Sequence, residues 1–191
     1  MKSIVIFASG QGSNAAAIIQ YFKPNAEVKI SAIVCNNPKA GVIQLAEREA
    51  ISCLMTDRPG FKSEAFVTKL VALKPDLVVL AGFLWKIPEA IIHAFSGKII
   101  NLHPALLPKY GGKGMYGHYV HEAVKAAGEK ESGITIHQVN ENYDEGAVLL
   151  QARCPVHPFD SPDDIARRIH HLEHFYLPRL IDFLLFQNLP A

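Results

Sequence analysis

Cysteine is scarce in this sequence: three residues, Cys35, Cys53 and Cys154, lie far apart along 191 positions. None of them belongs to a C-x-x-C pair, so the spacing predicts neither a disulfide framework nor a zinc site built from thiolates. Two of the three fall within apolar, strand-like runs, where a buried and unreactive thiol is the usual state. We therefore expect reduced cysteines that contribute only to packing.

Long apolar runs and an excess of charge of either sign are also missing. No uninterrupted apolar stretch approaches the roughly 20 residues that cross a bilayer, and the chain opens on a strand-like pattern without a charged leader. The 19 Lys and Arg residues are scattered and balance 18 Asp and Glu residues, for a net charge of +1. That distribution disfavours a nucleic-acid partner held mainly by phosphate contacts. Together these absences predict a cytoplasmic protein with neither a membrane nor a nucleic acid among its partners.

Short apolar runs alternate with helix-like segments over the first hundred residues. The predicted strands are Ser3–Ala8, Val28–Cys35, Ser52–Thr56, Asp76–Ala81 and Lys98–Leu102. The predicted helices between them are Ser13–Phe22, Val42–Ala50, Ser63–Leu73 and Pro88–Phe95. Near-continuous apolar strands separated by helices are typical of a parallel sheet covered on both faces. The pattern therefore predicts an α/β fold with a doubly wound, mostly parallel sheet.

The pattern changes after residue 103, where a loop rich in Gly and Pro runs to about Gly117. A helix and two strands are predicted beyond it, over His118–Ala127, Gly133–Val139 and Ala147–Val156. The short connection between the two strands favours an antiparallel pair added at the sheet edge. A long closing helix begins after Ser161, a good N-cap, and contains Pro178, which is expected to kink it. No linker-like segment interrupts the chain, so we expect a single domain over residues 1–191.

The segment Ser9-Gly10-Gln11-Gly12-Ser13-Asn14 connects the first strand to the first helix. Glycines let a ligand approach the backbone, and the helix start offers N–H groups and a positive dipole end, which together suit a phosphate. The spacing also fits the dinucleotide pattern G-x-G-x-x-A, but the end of the second strand, Cys35–Pro38, supplies no carboxylate for a ribose. A dinucleotide is therefore disfavoured, whereas a monophosphate ligand and a simple tight turn both remain open.

Asn101, His103 and Asp144 are the candidates for chemistry. Asn101-Leu102-His103-Pro104 ends the fifth predicted strand, where ligands collect in open α/β sheets, and alternation places Asn101 and His103 on one side. An amide donor beside an imidazole suits a carbonyl that becomes an oxyanion, although a lone histidine at a strand end is usually structural. Asp144 lies in the later segment Tyr143-Asp144-Glu145-Gly146, and a carboxylate beside His103 would raise the pKa of the imidazole and favour its protonated form. Asp-x-Gly is common in turns, and spacing alone does not bring Asp144 to His103.

The segment His170-His171-Leu172-Glu173-His174 matches H-x-x-E-H, the zinc signature of one metallopeptidase group. A catalytic zinc needs a third protein ligand, and the sequence does not specify one. A polar helix face, or a face on which Glu173 contacts substrate hydroxyls, is therefore favoured, and no metal is expected.

Five segments carry a resemblance to a known family across nearly the whole chain. They are ASGQGSN, DLVVLAGFLWKIP, KIINLHPALLPKYGGKGMYG, ITIHQVNENYDEGAVLLQ and LEHFYLP. The sequence resembles the phosphoribosylglycinamide formyltransferases of purine biosynthesis, since N-x-H-P-x-L-L-P joined to a later D-x-G is specific to folate-dependent formyl transfer. The resemblance implies a formyltransferase-like variant of the Rossmann fold, with a phosphate-binding half over residues 1–100 and a catalytic, folate-binding half over residues 101–191.

The reaction implied by the resemblance is a formyl transfer in the synthesis of IMP. The formyl group of 10-formyltetrahydrofolate passes to the amine of 5′-phosphoribosylglycinamide (GAR), giving formyl-GAR and tetrahydrofolate. The implied partners are these small molecules, with 10-formyltetrahydrofolate as the co-substrate and no metal. A monomer or a weak homodimer is the implied assembly.

The resemblance also implies roles for individual residues at matching positions. The catalytic trio corresponds to Asn101, His103 and Asp144. The phosphate site corresponds to Gly12, Ser13 and Asn14, and the contact with glycinamide or ribose corresponds to Glu173. The folate pocket corresponds to Leu84, Trp85, Lys86, Ile87, Asn101, Asn140, Glu141, Asn142, Tyr143 and Asp144.

The chain departs from the family pattern at three places. The loop Gly111–Tyr116 is longer than in some relatives, and Trp85-Lys86 stands where many relatives carry Met-Arg. The family's folate-tail arginine has no counterpart near Ser63, where Arg58 or Lys62 is the expected substitute. These differences concern contacts with folate rather than the reaction.

Two related reactions and one non-catalytic role are the alternatives. Hydrolysis of 10-formyltetrahydrofolate would use the same trio with water as the nucleophile, but such hydrolases carry an additional N-terminal regulatory domain. Formyl transfer to initiator methionyl-tRNA would need an RNA-binding extension or a basic patch. A non-catalytic phosphosugar-binding module could be built on the same sheet, but it would have no need of Asn101, His103 and Asp144.

Overall fold

Seven strands form one sheet in this computed structural model, which describes residues 1–186. The strands are β1 (Lys2–Phe7), β2 (Val28–Cys35), β3 (Cys53–Met55), β4 (Leu77–Leu80), β5 (Ile99–His103), β6 (Glu131–Gln138) and β7 (Val148–Pro155). Their spatial order is β3-β2-β1-β4-β5-β6-β7. β1 to β5 pair in parallel, whereas β6 runs antiparallel to β5 and β7 antiparallel to β6. The predicted fold class, with its antiparallel addition at one edge, is confirmed.

Helices cover both faces of the sheet. Within residues 1–186 they are α1 (Ser13–Phe22), α2 (Val42–Arg48), α3 (Arg58–Phe61), α4 (Glu64–Ala72), α5 (Glu89–Ala94), α6 (His118–Ala126) and α7 (Pro162–Phe186). The short helix α3 was not predicted, because Pro59 and Gly60 are typical of a turn; the Asp57 carboxylate caps it by accepting from the Gly60 N–H at 2.8 Å. The helix α7 starts after Ser161 as expected and continues through Pro178, where a kink stays a prediction.

The alternation of side chains along β1 divides the core into two layers. Ile4 belongs to the buried cluster that contains Ile169 of α7. Phe7 belongs to the other cluster, in which its ring lies 6.3 Å from that of Phe61 in α3, in an edge-to-face arrangement. A fully buried Ile or Phe side chain stabilises the fold by about 1.5–3 kcal/mol, so this alternation attaches a helical layer to each face.

Two of the three cysteines lie in the core. Cys35 and Cys154 are buried, Cys53 is partly exposed, and all three are free thiols. Over the described part of the chain, residues 1–186, no helix is both long enough and apolar enough to cross a membrane.

The carboxyl edge of the parallel strands brings the candidate segments together. The strand order reverses between β1 and β4, and open α/β sheets bind ligands in the crevice at such a reversal. The loops after these two strands are tied together, since the Ser9 N–H donates to the Gly82 carbonyl at 3.0 Å and the Leu84 N–H donates to Ser9 Oγ at 3.0 Å. The predicted phosphate loop and one predicted folate segment therefore lie side by side.

Candidate active site

Asn101, His103 and Asp144 converge at this edge of the sheet. The strand β5 supplies the first two, and the connection between β6 and β7 supplies the third. Asn101 Nδ2 lies 3.3 Å from Asp144 Oδ1, and His103 Nδ1 lies 3.6 Å from Asp144 Oδ2. His103 is 3% exposed, so its imidazole is almost wholly removed from water. The structure thus brings together three side chains whose spacing in the sequence left their contact undecided.

The D-x-G turn carries Asp144 back onto the sheet. Asp144 has a left-handed backbone with φ of 55°, a conformation that Asp tolerates better than most residues. Glycine is needed at position 146, because a Cβ there would overlap the carbonyl oxygen of Gln138 in β6. The pattern is therefore explained by a close approach of two backbones, which aims the Asp144 carboxylate at β5.

His137 is a fourth member of this group, and it was missed in the sequence. Antiparallel pairing places His137 of β6 opposite Asn101, whose Nδ2 lies 3.1 Å from His137 Nε2. His137 Nδ1 donates to the Gln138 carbonyl at 2.8 Å, which anchors the ring beside the Asn101 amide. The ring therefore packs against that amide and helps to hold it in place. The available signal was the alternation along β6, where the buried polar residues Thr135 and His137 alternate with Ile134 and Ile136.

The protonation state of His103 differs from the prediction. Burial lowers the pKa of His103 below its ordinary value, outweighing the Asp144 carboxylate and the Tyr110 carbonyl, which raise it, while His137 adds to the lowering. His103 Nε2 donates to the Tyr110 carbonyl at 2.7 Å, so the neutral ring carries its proton on Nε2 and keeps Nδ1 as an acceptor. The expectation of a protonated His103 is therefore wrong, because it counted the carboxylate and left out desolvation.

Asp144 stays ionised in spite of its partial burial. Burial raises the pKa of this carboxyl, but its contacts with His137, His103 and the Gly112 N–H together hold it below its ordinary value. The Gly112 N–H donates to Asp144 Oδ2 at 2.9 Å, and His137 Nε2 lies 3.5 Å from Oδ1. A carboxylate so placed can stabilise a proton on His103 Nδ1.

The predicted phosphate loop ends at the start of α1. Gly12 precedes the helix with φ of 81°, and the first turn contains no acidic side chain. The first helical hydrogen bond runs from the Ala16 N–H to the Gly12 carbonyl at 2.8 Å. The N–H groups of Ser13 and Asn14 therefore belong to the positive end of the helix, where anions bind favourably.

Gly12→Ala is expected to destabilise the protein by about 1–2 kcal/mol, because a left-handed backbone disfavours any side chain. A Cβ at Gly12 would also lie 2.7 Å from Cγ2 of Val42, which is fully buried. Urea unfolding measures the loss. Gly10→Ala in the same loop is the matched control, since a Cβ there meets no atom within 4 Å. Equal losses in the two variants would contradict this explanation of the loop.

Glu173 of α7 contacts the phosphate loop directly. Asn14 Nδ2 donates to Glu173 Oε2 at 2.9 Å. Glu173 is 6% exposed, and burial raises its pKa to about 7, although the Asn14 hydrogen bond opposes the shift. Two of the predicted substrate residues therefore touch each other, and the Glu173 carboxyl can donate or accept a hydrogen bond near neutral pH.

Glu173→Gln is expected to gain stability relative to the wild type as pH rises from about 5 to about 8. The pKa of Glu173 is about 7 in the folded protein, against an ordinary value of 4.5. The proton on this carboxyl therefore stabilises the fold of the wild type below pH 4.5, and that contribution is lost as pH rises through about 7. The difference between these two pKa values corresponds to about 3 kcal/mol in the free energy of unfolding. Urea unfolding across this range tests the prediction, with Glu47→Gln, an exposed helical carboxyl, as control. A difference that does not vary with pH would rule it out.

The H-x-x-E-H segment lies on α7 beside the same loop. The rings of His170 and His174 are 6.1 Å apart between centroids, and Glu173 between them bonds to Asn14. Across residues 1–186, no three His, Cys, Asp or Glu side chains are grouped so that they could hold a metal ion. The contact with Asn14 favours the interpretation in which Glu173 faces a substrate.

The two predicted folate segments, 84–87 and 140–144, meet at the crevice. Lys86 Nζ lies 5.7 Å from the centre of the Tyr143 ring, within the range of a cation–π contact. Leu84 and Lys86 are exposed, Trp85 is partly exposed, and Ile87 is buried. A cavity of about 480 Å³ lies against Asn140, Glu141 and Asn142 and extends to α5.

Trp85 borders a second cavity, of about 690 Å³, at the ends of β2 and β3. The guanidinium carbon of Arg58 stands 5.0 Å from the centre of the Trp85 ring, and Lys69 also lines the cavity. Two cations beside an aromatic ring suit a ligand that combines a planar group with negative charge. Of the two expected substitutes for the folate-tail arginine, Arg58 lines this cavity and Lys62 does not.

Comparison with known proteins identifies relatives over nearly the whole chain. Residues 2–181 match the model of a family described as formyl transferase. The chain is 34% identical over 194 residues to phosphoribosylglycinamide formyltransferase from Bacillus subtilis, covering 98% of this chain and 97% of that protein. The crystal structure of glycinamide ribonucleotide transformylase 1 from Symbiobacterium toebii matches with a TM-score of 0.90 and 29% identity, covering 100% of this chain and 91% of that chain.

Some relatives are much longer than this chain. It is 38% identical over 182 residues to the chloroplastic phosphoribosylglycinamide formyltransferase of Arabidopsis thaliana, covering 91% of this chain and 62% of that protein. It is 35% identical over 191 residues to the trifunctional purine biosynthetic protein adenosine-3 of Drosophila melanogaster, covering 96% of this chain and only 14% of that protein. The extent of the family match confirms the resemblance inferred from the motifs: this protein belongs to the formyl transferase family.

Proposed function

We propose that this chain transfers the formyl group of 10-formyltetrahydrofolate to the amine of GAR, giving formyl-GAR and tetrahydrofolate in purine synthesis. The observation that carries the proposal is the convergence of Asn101, His103 and Asp144 in a member of the formyl transferase family. The acceptor is taken from the relatives in Bacillus subtilis and Symbiobacterium toebii, whose names specify phosphoribosylglycinamide or glycinamide ribonucleotide.

The phosphate of GAR is assigned to Gly12, Ser13 and Asn14. That end of α1 is positive and has no acidic side chain in its own first turn, which favours the binding of an anion. Glu173 is assigned to the ribose or the glycinamide, because a buried carboxyl with a pKa of about 7 can donate to or accept from a hydroxyl or an amide. These contacts would hold the acceptor and leave its amine free to react.

The folate donor is assigned to the segments 84–87 and 140–144. Leu84 and Ile87 offer apolar contact for a ring system, and the backbone of 140–144 offers hydrogen-bonding groups beside the trio. The cavity lined by Arg58, Lys69 and Trp85 is assigned to the benzoyl-glutamate tail. The residues fit the donor, since apolar and aromatic side chains match its ring system and cationic side chains match its carboxylates.

His103 moves the proton that formyl transfer requires. Its Nε2 is bonded to Tyr110, so Nδ1 is the nitrogen that accepts a proton from the GAR amine as the new N–C bond forms. The imidazolium then gives that proton to the folate nitrogen as the C–N bond of the donor breaks, which restores the neutral ring. A positioned acid–base group of this kind accelerates a reaction by about 10²–10⁴-fold.

Asp144 and Asn101 stabilise the charges that exist between these two steps. Asp144 Oδ2, at 3.6 Å from His103 Nδ1, stabilises the imidazolium. Asn101 Nδ2 exchanges its longer contact, 3.3 Å to Asp144 Oδ1, for the oxyanion, while its 3.1 Å contact with His137 keeps the amide oriented. One such donor contributes about 3 kcal/mol to lowering the barrier.

Release of tetrahydrofolate, followed by absorbance with and without GAR, tests the proposed function. We expect release only when GAR is present. Release without any acceptor would contradict the proposal and indicate a hydrolase. Tight binding of the ribonucleotide without release of tetrahydrofolate would contradict it as well and indicate a binding module.

A further inference from the structure

The loop that follows His103 returns to the trio through its backbone. The carbonyl of Tyr110 accepts from His103 Nε2 at 2.7 Å, and the N–H of Gly112 donates to Asp144 Oδ2 at 2.9 Å. A carbonyl oxygen can only accept, so its position decides that Nε2 carries the proton of the neutral ring. Nδ1 is thereby left facing Asp144 as the nitrogen that can exchange protons with a substrate.

The side chain of Tyr110 is held from outside the site. Its phenol donates to Glu129 Oε1 at 2.9 Å, and Lys109 Nζ donates to the same oxygen at 2.8 Å. Glu129 lies in the connection between α6 and β6 and contacts none of the three catalytic candidates. Burial and the hydrogen bond to Glu129 both raise the pKa of the Tyr110 phenol, so it remains a donor.

The backbone of Tyr110 needs such an anchor. Its φ is 57°, in the left-handed region that costs a non-glycine residue about 1–2 kcal/mol. Such a conformation persists only where surrounding contacts impose it. The phenol–carboxylate contact with Glu129 is a contact of this kind, and it acts on the same residue whose carbonyl holds His103.

The earlier part of the loop has separate attachments. Thr135 Oγ1 donates to the Ala105 carbonyl at 2.7 Å and accepts from the Leu107 N–H at 3.0 Å. Gln151 Nε2 donates to the Leu107 carbonyl at 2.9 Å. Loss of the Glu129 contact should therefore loosen residues 109–110, whereas residues 105–107 stay attached to β6 and β7 and Gly112 stays bonded to Asp144.

We propose that Tyr110 and Glu129 are positioning residues, which hold the Tyr110 carbonyl against His103 Nε2 and so keep Nδ1 free for proton transfer. The inference rests on the proposed role of His103 in formyl transfer. It adds to that role a control of the imidazole tautomer from a residue outside the site.

Tyr110→Phe and Glu129→Ala are the variants that test the proposal. Each is expected to lower kcat about tenfold, the effect of one hydrogen bond, with little change in either KM. The acid limb of the kcat profile should move to lower pH, because the Tyr110 carbonyl raises the pKa of His103. Without that carbonyl, only Asp144 opposes burial and His137, which both lower this pKa. Combining the two substitutions should add nothing to either one.

Three controls separate positioning from a general loss of structure. Glu129→Gln keeps an acceptor for the phenol and should restore most of kcat, and Lys109→Met removes the exposed ion pair but keeps the phenol contact, so its kcat should be normal. Thermal unfolding shows whether each variant is folded. A folded Tyr110→Phe with normal kcat and pH profile would overturn the proposal, as would a loss of activity that leaves the pH profile unchanged.

Imidazole ¹⁵N spectra test the same proposal without turnover. With the His103 signal assigned by its absence in His103→Ala, the wild type should show a proton on Nε2, and Tyr110→Phe and Glu129→Ala should show a mixture of tautomers. An unchanged Nε2–H signal in both variants would overturn the proposal. Because this readout does not depend on activity, its failure is distinguishable from failure of the proposed formyl transfer.

Discussion

His103→Ala is expected to lower kcat by about 10³-fold, while both KM values change by less than about threefold. The imidazole is the member of the trio that takes the proton from the attacking amine on its Nδ1 and returns it to the folate nitrogen. Without the imidazole, the tetrahedral intermediate has no positioned base to take its proton and must lose that proton to water. Steady-state kinetics with both substrates varied gives kcat and each KM separately.

His157→Ala is the matched control for this result. His157 is exposed in the connection between β7 and α7, and it is not among the contacts of the trio. Its rate should equal that of the wild type, which excludes a general effect of removing an imidazole. Retention of more than about a tenth of kcat by a folded His103→Ala would remove His103 from the proposed mechanism.

Asp144→Asn is expected to lower kcat by about 10²-fold and to shift the acid limb of the pH profile. The Asn side chain keeps the shape and an acceptor for the Gly112 N–H, but it removes the negative charge 3.6 Å from His103 Nδ1. The imidazolium formed during the reaction then lacks its counter-charge. The rate falls at every pH because this intermediate is less stable.

The direction of the pH shift follows from the groups around His103. Asp144 raises the pKa of the imidazole, whereas burial and His137 lower it. Removing the Asp144 charge therefore lowers this pKa further, so the neutral, active ring persists to lower pH and the acid limb moves down. The control is Glu145→Gln, which removes an exposed carboxylate from the same turn. An acid limb that stays in place in Asp144→Asn would exclude coupling between the two residues.

The parts of the fold that depend on local patterns could be predicted from the sequence. Continuous apolar runs such as the one in β4 identify buried parallel strands, and the period-two alternation places Asn101 and His103 on one side of β5. Ser161 marks the start of α7 because its Oγ accepts from the Asp164 N–H at 3.2 Å, a contact within one turn. The short helix α3 escaped prediction because its cap is equally typical of a turn.

The parts of the site that depend on register and burial could not be predicted in this way. His137 meets Asn101 only because β6 pairs with β5 in one particular register, and a shift by one residue would turn it to the other face. The lowered pKa of His103 reflects its burial in the folded protein, which no motif records. The role of Tyr110 depends on a backbone conformation that the letters K-Y-G-G do not specify.

The fate of the formyl carbon itself distinguishes formyl transfer to GAR from hydrolysis of the donor. The wild-type protein is incubated with GAR and with 10-formyltetrahydrofolate carrying ¹³C in the formyl group, and the products are identified by NMR. We expect the label to appear in a formamide on the amine nitrogen of GAR, in step with the release of tetrahydrofolate. Label recovered as free formate, with GAR unchanged, would contradict it.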